Sequence, residues 1–169
     1  METTIFELPR FKFKEGFRWE MLLLLLATAC AGLFCGAALY VNLVEHPARI
    51  SCGQELALRE FAPSYQRATT MQGALAVAGF ALGLGAAWQL RAGWVVAGSV
   101  LLGASVPFTL VVIVPTNKKL LDSALDPQSK QAADLLQRWN RLHGVRTVVS
   151  VAAFGVFLGC LAASRGSAR

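Results

Sequence analysis

Four stretches of this chain contain no charged residue: 21–44, 68–90, 92–117 and 147–164. Each holds at least 18 residues, and a helix needs about 20 to cross the hydrocarbon core of a bilayer. A backbone in lipid must satisfy its own hydrogen bonds, which leaves helices and closed barrels as the options. Barrel strands alternate apolar and polar side chains. Residues 21–26 read Met-Leu-Leu-Leu-Leu-Leu and 111–114 read Val-Val-Ile-Val, so nothing alternates. The fold class is therefore all-α, an integral membrane four-helix bundle. One domain covers residues 1–169, with spans at about 20–45, 69–90, 92–114 and 143–163. Four spans put both termini on the same side of the membrane.

Composition agrees. The chain is 55% hydrophobic and 15% charged, with mean hydropathy +0.51, too apolar for an ordinary soluble domain. A net charge of +6 comes from Lys and Arg flanking the spans, so it does not indicate nucleic-acid binding. The basic residues divide seven to nine between the two faces, which assigns no orientation. Cys30, Cys35, Cys52 and Cys160 form no C-x-x-C pair and no zinc spacing, and read as small packing residues. Residues 1–19 mix Phe and Trp with Arg and Lys, the pattern of an interfacial anchor. They also carry four glutamates, counting Glu20 at their edge, which suits a cleaved signal poorly.

Local signals predict the boundaries. Pro47 is expected to end the first helix near residue 45, holding His46 at a helix exit. Residues 55–61 read as a short surface helix. Arg91 and Gly93 mark a tight turn. Pro107 predicts a kink in the third helix, which is expected to stop near Pro115. Asp126 reads as an N-cap, with Pro127 at the first helical position. The helix that starts there would reach about residue 163, a length of roughly 55 Å that exceeds one span. Its first half is a helical extension preceding the fourth span. Gly32 and Gly36, Gly79 and Gly83, and Gly155 and Gly159 are small-xxx-small pairs that permit close helix packing and also dimerisation. No heptad seam and no longer-period repeat is evident.

Polar residues break the apolar pattern in four segments, and all four fall at one end of the bundle. They are residues 45–49, 61–67, 115–117 and 139–146. Trp139, His143 and Arg146 share one helix face at spacing i, i+4, i+7. Arg146 alone would read as an anchor reaching to headgroups. Anchoring does not need two His, an Asn and three Arg together, and Arg91 is the only internal charge at the other end. Ionisable groups in a membrane are costly and mark function. Histidine is the usual general base, Arg and Asn stabilise a developing oxyanion, and Trp and Tyr line apolar pockets. His46, His143 and Glu45 could also hold a metal, although no zinc-protease spacing is present.

The order of these segments resembles a known family. Residues 40–49 read Tyr-Val-Asn-Leu-Val-Glu-His-Pro-Ala-Arg. Residues 61–67 read Phe-Ala-Pro-Ser-Tyr-Gln-Arg, 115–120 Pro-Thr-Asn-Lys-Lys-Leu, and 139–146 Trp-Asn-Arg-Leu-His-Gly-Val-Arg. Together they are similar to the anthrone oxygenase-like family of small four-helix membrane proteins, over roughly residues 20–163. Fungal members convert anthrones to anthraquinones in polyketide pathways, using dioxygen without an evident cofactor, and most other members have no known substrate. The resemblance places the family's motif residues at His46, Arg49, His143 and Arg146, with Asn117 and Trp139 beside them.

Three functions are compatible with this reading. The first is an oxygenase that takes a hydrophobic phenolic or anthrone-like polycycle to a quinone, with dioxygen as co-substrate and no other cofactor. Its expected catalytic residues are His143, His46, Arg146 and Asn117. Its substrate-binding residues are Arg49, Trp139, Tyr40, Tyr65 and Arg67. The second is a metal- or haem-dependent redox protein with His46 and His143 as ligands. The third is a non-catalytic membrane subunit or lipid binder, in which the polar cluster docks a partner or a headgroup.

Overall fold

The computed structural model describes residues 18–166, with side chains through Ser164. The expected interfacial segment lies almost wholly outside the described residues. Four long helices form: α1 (Trp19–Ser51), α2 (Gln54–Leu90), α3 (Gly93–Leu120) and α4 (Lys130–Gly166). All four are long and apolar enough to cross a membrane. They run up and down in turn, α1 packing on α2 and α4, and α3 on α2 and α4.

Two of the helices run straight through the prolines expected to end them. In α1, residues Val41–Glu45 form a π turn, closed by His46 N–H bonding to the Val41 carbonyl. In α3, residues Thr109–Ile113 form a second π turn, closed by Val114 N–H bonding to the Thr109 carbonyl. Pro47 and Pro115 come directly after. A proline in a regular helix clashes with the carbonyl four residues back and cannot donate to it. A wide π turn at that place moves the carbonyl aside and removes the demand for the donor. His46 is thus a helix-interior residue rather than a helix exit, and α3 continues to Leu120. Residues 55–61 are likewise no separate surface helix. They are the first turns of α2, which passes through Pro63.

The turns obey local chemistry. Arg91 takes the left-handed conformation, φ 51°, and ends α2, while Ala92 N–H reaches back to the Ala87 carbonyl. Asp126 does not cap α4. Its carboxylate accepts from Gln128 N–H within the preceding turn. Ser129 is the cap, its hydroxyl accepting from Ala132 N–H at 3.2 Å.

The interior has two apolar layers. One is built on Leu24, Ala31, Phe34, Ala76, Leu102 and Phe157, the other on Phe61, Ile113, Leu120, Leu136 and Trp139. Close approach in the first layer rests on small residues: a methyl on Gly79 would meet Cys30 Cβ at 3.0 Å, and one on Gly103 would meet the Phe80 ring at 2.6 Å. Gly36, Gly155 and Gly159 have no neighbour within 4 Å of that position, so of the three glycine pairs only Gly79 and Gly83 is fully used inside the bundle.

Candidate functional site

Between the two apolar layers lies a polar one, and the π turns aim its residues. An inserted residue rotates the downstream helix by about 100°. Val41, His46 and Arg49 therefore all face inward, although 41 and 46 are five apart, while Leu43 and Val44 face out. In α3 the same device turns Ile113, Thr116 and Asn117 inward.

His143 is the centre of the layer, and its partners determine its tautomer. Asn42 Nδ2 donates to Asn140 Oδ1 at 2.8 Å. That leaves Asn42 Oδ1 facing His143 Nδ1, 2.7 Å away. An amide oxygen only accepts, so Nδ1 carries the proton. The Thr147 hydroxyl donates to the same Asn42 oxygen. The other ring nitrogen, Nε2, accepts from Arg146. Arg146 also donates to Gln72 Oε1 at 2.6 Å, and its guanidinium lies over the Phe34 ring at 5.5 Å. A neutral imidazole held in one orientation by an amide and a guanidinium is the result.

The two inner arginines differ in their surroundings. Arg49 contacts Glu45, lies 2.7 Å from Glu60 as an ion pair, and reaches Ser64. Ser64 itself donates to Glu45 at 2.9 Å. Two carboxylates thus neutralise Arg49, which ties the end of α1 to the start of α2. Arg146 has neutral partners among the described residues, Gln72 and His143, and no carboxylate within ion-pair distance. Its positive charge stands uncompensated.

A cavity of about 40 Å³ opens onto this layer, lined by Asn117, Trp139, His143, Arg146, Tyr65 and Gln72 among others. Asn117 is 1% exposed, yet neither its amide nitrogen nor its amide oxygen has a hydrogen-bond partner, and the same is true of Trp139 Nε1. Buried polar groups are normally paired, so these three atoms beside the cavity stand out. The Trp139 indole packs against His143 at 4.8 Å, His46 at 5.5 Å and Phe61 at 5.4 Å.

The structure brings His143, Arg146, Asn117, Trp139 and Tyr65 together around the cavity. Arg49 touches it while serving as a brace. His46 is buried against Trp139 but lines a separate, open cleft with Pro47, Gln54 and Asn140. Tyr40, 57% exposed, points away from the bundle, and Arg67 is exposed as well. The helix phase explains both: Tyr40 precedes the π turn and Arg67 lies on the outer face of α2. Sequence reasoning missed Asn42, Gln72 and Thr147, which are single neutral polar residues inside uncharged runs. Thr147 could have been found by extending the Trp139–His143 face one more turn.

At His143 one ring nitrogen carries a proton and the other accepts from the Arg146 guanidinium. No group of three His, Cys, Asp or Glu gathers among the described residues.

The sequence model of the anthrone oxygenase family matches residues 61–156. The chain belongs to the anthrone oxygenase family. That match takes in the α2, α3 and α4 parts of the site, from Phe61 to Arg146 and Thr147. No curated protein matches the chain, and no solved structure does. Membership in the anthrone oxygenase family gives a frame for the chemistry, and the side chains above give the atoms.

Proposed function

We propose that the protein is a membrane oxygenase that converts a hydrophobic phenolic or anthrone-like polycycle to a quinone with dioxygen. The supporting observation is a neutral, oriented His143 whose Nε2 lone pair meets an uncompensated Arg146, beside the unpartnered amide of Asn117. An anthrone carries an acidic CH₂ flanked by aromatic rings and a carbonyl opposite. In this reading the substrate carbonyl takes the Arg146 guanidinium and Asn117 Nδ2. Arg146 thereby releases His143 Nε2, which removes a CH₂ proton. The electron pair moves to the carbonyl oxygen, and the enolate is held by the two donors.

The carbon then passes one electron to dioxygen and the radical pair combines, forming a C–O bond. The peroxide takes the proton back from His143. Loss of the remaining C–H proton with cleavage of the O–O bond gives the quinone. One oxygen atom stays in the product and the other leaves as water. No protein-bound metal takes part in these steps. Asn42 is a positioning residue: it holds the proton on Nδ1 so that Nε2 is the basic atom. Trp139 and Tyr65 line the cavity beside His143 where the reacting carbon would lie.

Oxygen uptake by detergent-purified protein with anthrone, corrected for autoxidation, tests the reading. Uptake above background is expected to survive a chelator and to be lost in His143→Ala and Arg146→Ala. A His143→Ala variant with normal turnover would overturn the base assignment. Absence of any uptake in the intact protein would leave the site to a binding role.

A further inference from the structure

A cavity of about 40 Å³ is too small for a three-ring molecule, since ligand sites commonly measure about 300–1,000 Å³. A second void of about 90 Å³ adjoins it. The two share Thr69, Gln72, Thr109 and Arg146 as walls. Beyond these, the second void is bounded by apolar and small groups: Phe34, Gly73, Ala76, Val106 and Leu110. Arg146 is thus part of the partition between a more polar chamber and a more apolar one, with Gln72, Thr69 and Thr109.

The second void lies where two helices part. α2 packs on α3 chiefly through Gly93–Phe108, whereas Thr109–Leu120 packs on α4. Close packing of Gly103 on Phe80 and of Gly83 on Ser99 holds the pair together on the side toward the Arg91 turn. At Gly73 no atom lies within 4 Å of where a side chain would begin. This gap sits in the uncharged runs, six residues past Arg67 and eight before Lys118 at its two walls, about 9–12 Å inside the charged rim. The surface around it is apolar, with Met71, Val77, Leu110 and Val111 all more than half exposed. Ser105 lines the same void, 3% exposed, with its Oγ lacking a hydrogen-bond partner.

We infer that the gap between Gly73 on α2 and Leu110 on α3 is a side entrance from the hydrocarbon. It admits an apolar molecule dissolved in the bilayer toward Arg146. This rests on the proposed function only for what happens after entry. The entrance itself is tested without turnover.

Trp19, Trp88 and Trp94 are surface residues, and replacing them with Phe leaves Trp139 as the only tryptophan, excited apart from tyrosine. In vesicles, bromobenzene dissolved in the bilayer is a contact quencher, and acrylamide probes access from water. Bromobenzene is expected to quench Trp139, and Gly73→Phe to lower its quenching constant about tenfold, equivalent to about 1.4 kcal/mol of added opening cost. Acrylamide quenching stays unchanged. Leu110→Ala, on the opposite wall, is expected to raise bromobenzene quenching, so the test stands if Gly73→Phe does not fold. Quenching that is stronger from acrylamide, or that ignores both substitutions, overturns the entrance. If quenching behaves as expected while anthrone uptake is absent, the oxygenase reading fails and the entrance stands.

Discussion

Replacing Asn42 with Leu isolates the group that orients His143. The exchange keeps the branching and heavy-atom count of the side chain and removes Asn42 Oδ1, the acceptor for His143 Nδ1 and for the Thr147 hydroxyl. Thr147 keeps the His143 carbonyl at 3.0 Å. Asn140 is half-buried and can turn to water. His143 is 3% exposed, and the other oxygen near its Nδ1 is the Thr147 hydroxyl at a long 3.5 Å. Leaving one buried donor unpaired costs about 1–3 kcal/mol, while polar pairs between membrane helices average about 0.6 kcal/mol. A net loss of about 2 kcal/mol results, which for a chain of this size is about 4–8 °C in melting temperature. The assay is thermal unfolding in detergent, with Leu43→Ala as control. Leu43 is adjacent and 71% exposed, so its truncation belongs with surface changes of about 0.5 kcal/mol or less. On the proposed function, Asn42→Leu is also expected to lower kcat for anthrone oxidation with little change in KM, since Asn42 does not line the cavity. Melting within about 1 °C of the parent, together with an unchanged kcat, would refute the tautomer argument.

Packing leads to three more expected outcomes. Gly103→Val should destabilise the bundle by about 1–3 kcal/mol, because its first atom meets the Phe80 ring, whereas Gly36→Ala should be neutral or gain up to about 1 kcal/mol; paired melting curves separate them. Ser129→Ala should cost about 1 kcal/mol through the lost cap of α4, read as a lower melting temperature with unchanged activity. Arg49→Lys should lose about 1–2 kcal/mol of stability by giving up its two-sided grip on Glu45 and Glu60, while Arg146→Lys should lose activity; steady-state kinetics beside thermal melts distinguish brace from catalyst.

The helices and the cluster are legible in the sequence because charge is expensive in lipid. Four uncharged runs can only be spans, and His143 and Arg146 stand out against one of them. The helix ends are less legible. Proline rules assume a regular α-helix, and the two π turns before Pro47 and Pro115 relieve the clash those rules count on. The same turns shift the facing of the residues downstream. Segment membership alone therefore groups Tyr40 with the site although it faces away, and it does the same for Arg67 on the outer side of α2. Asn42, Gln72 and Thr147 barely alter local hydropathy. Their part depends on which residue of another helix lies opposite, and that is a property of packing rather than of any window of sequence.

The uncompensated guanidinium of Arg146 has a thermodynamic consequence. A bare positive charge between apolar layers raises the free energy of the empty folded state, so an oxyanion or enolate that meets it returns stability to the whole bundle. Occupancy and melting are then linked: a ligand at a hundred times its Kd adds about 2.7 kcal/mol. A melting shift on addition of candidate molecules, lost in Arg146→Met, would reveal occupants of the site even before a turnover assay exists.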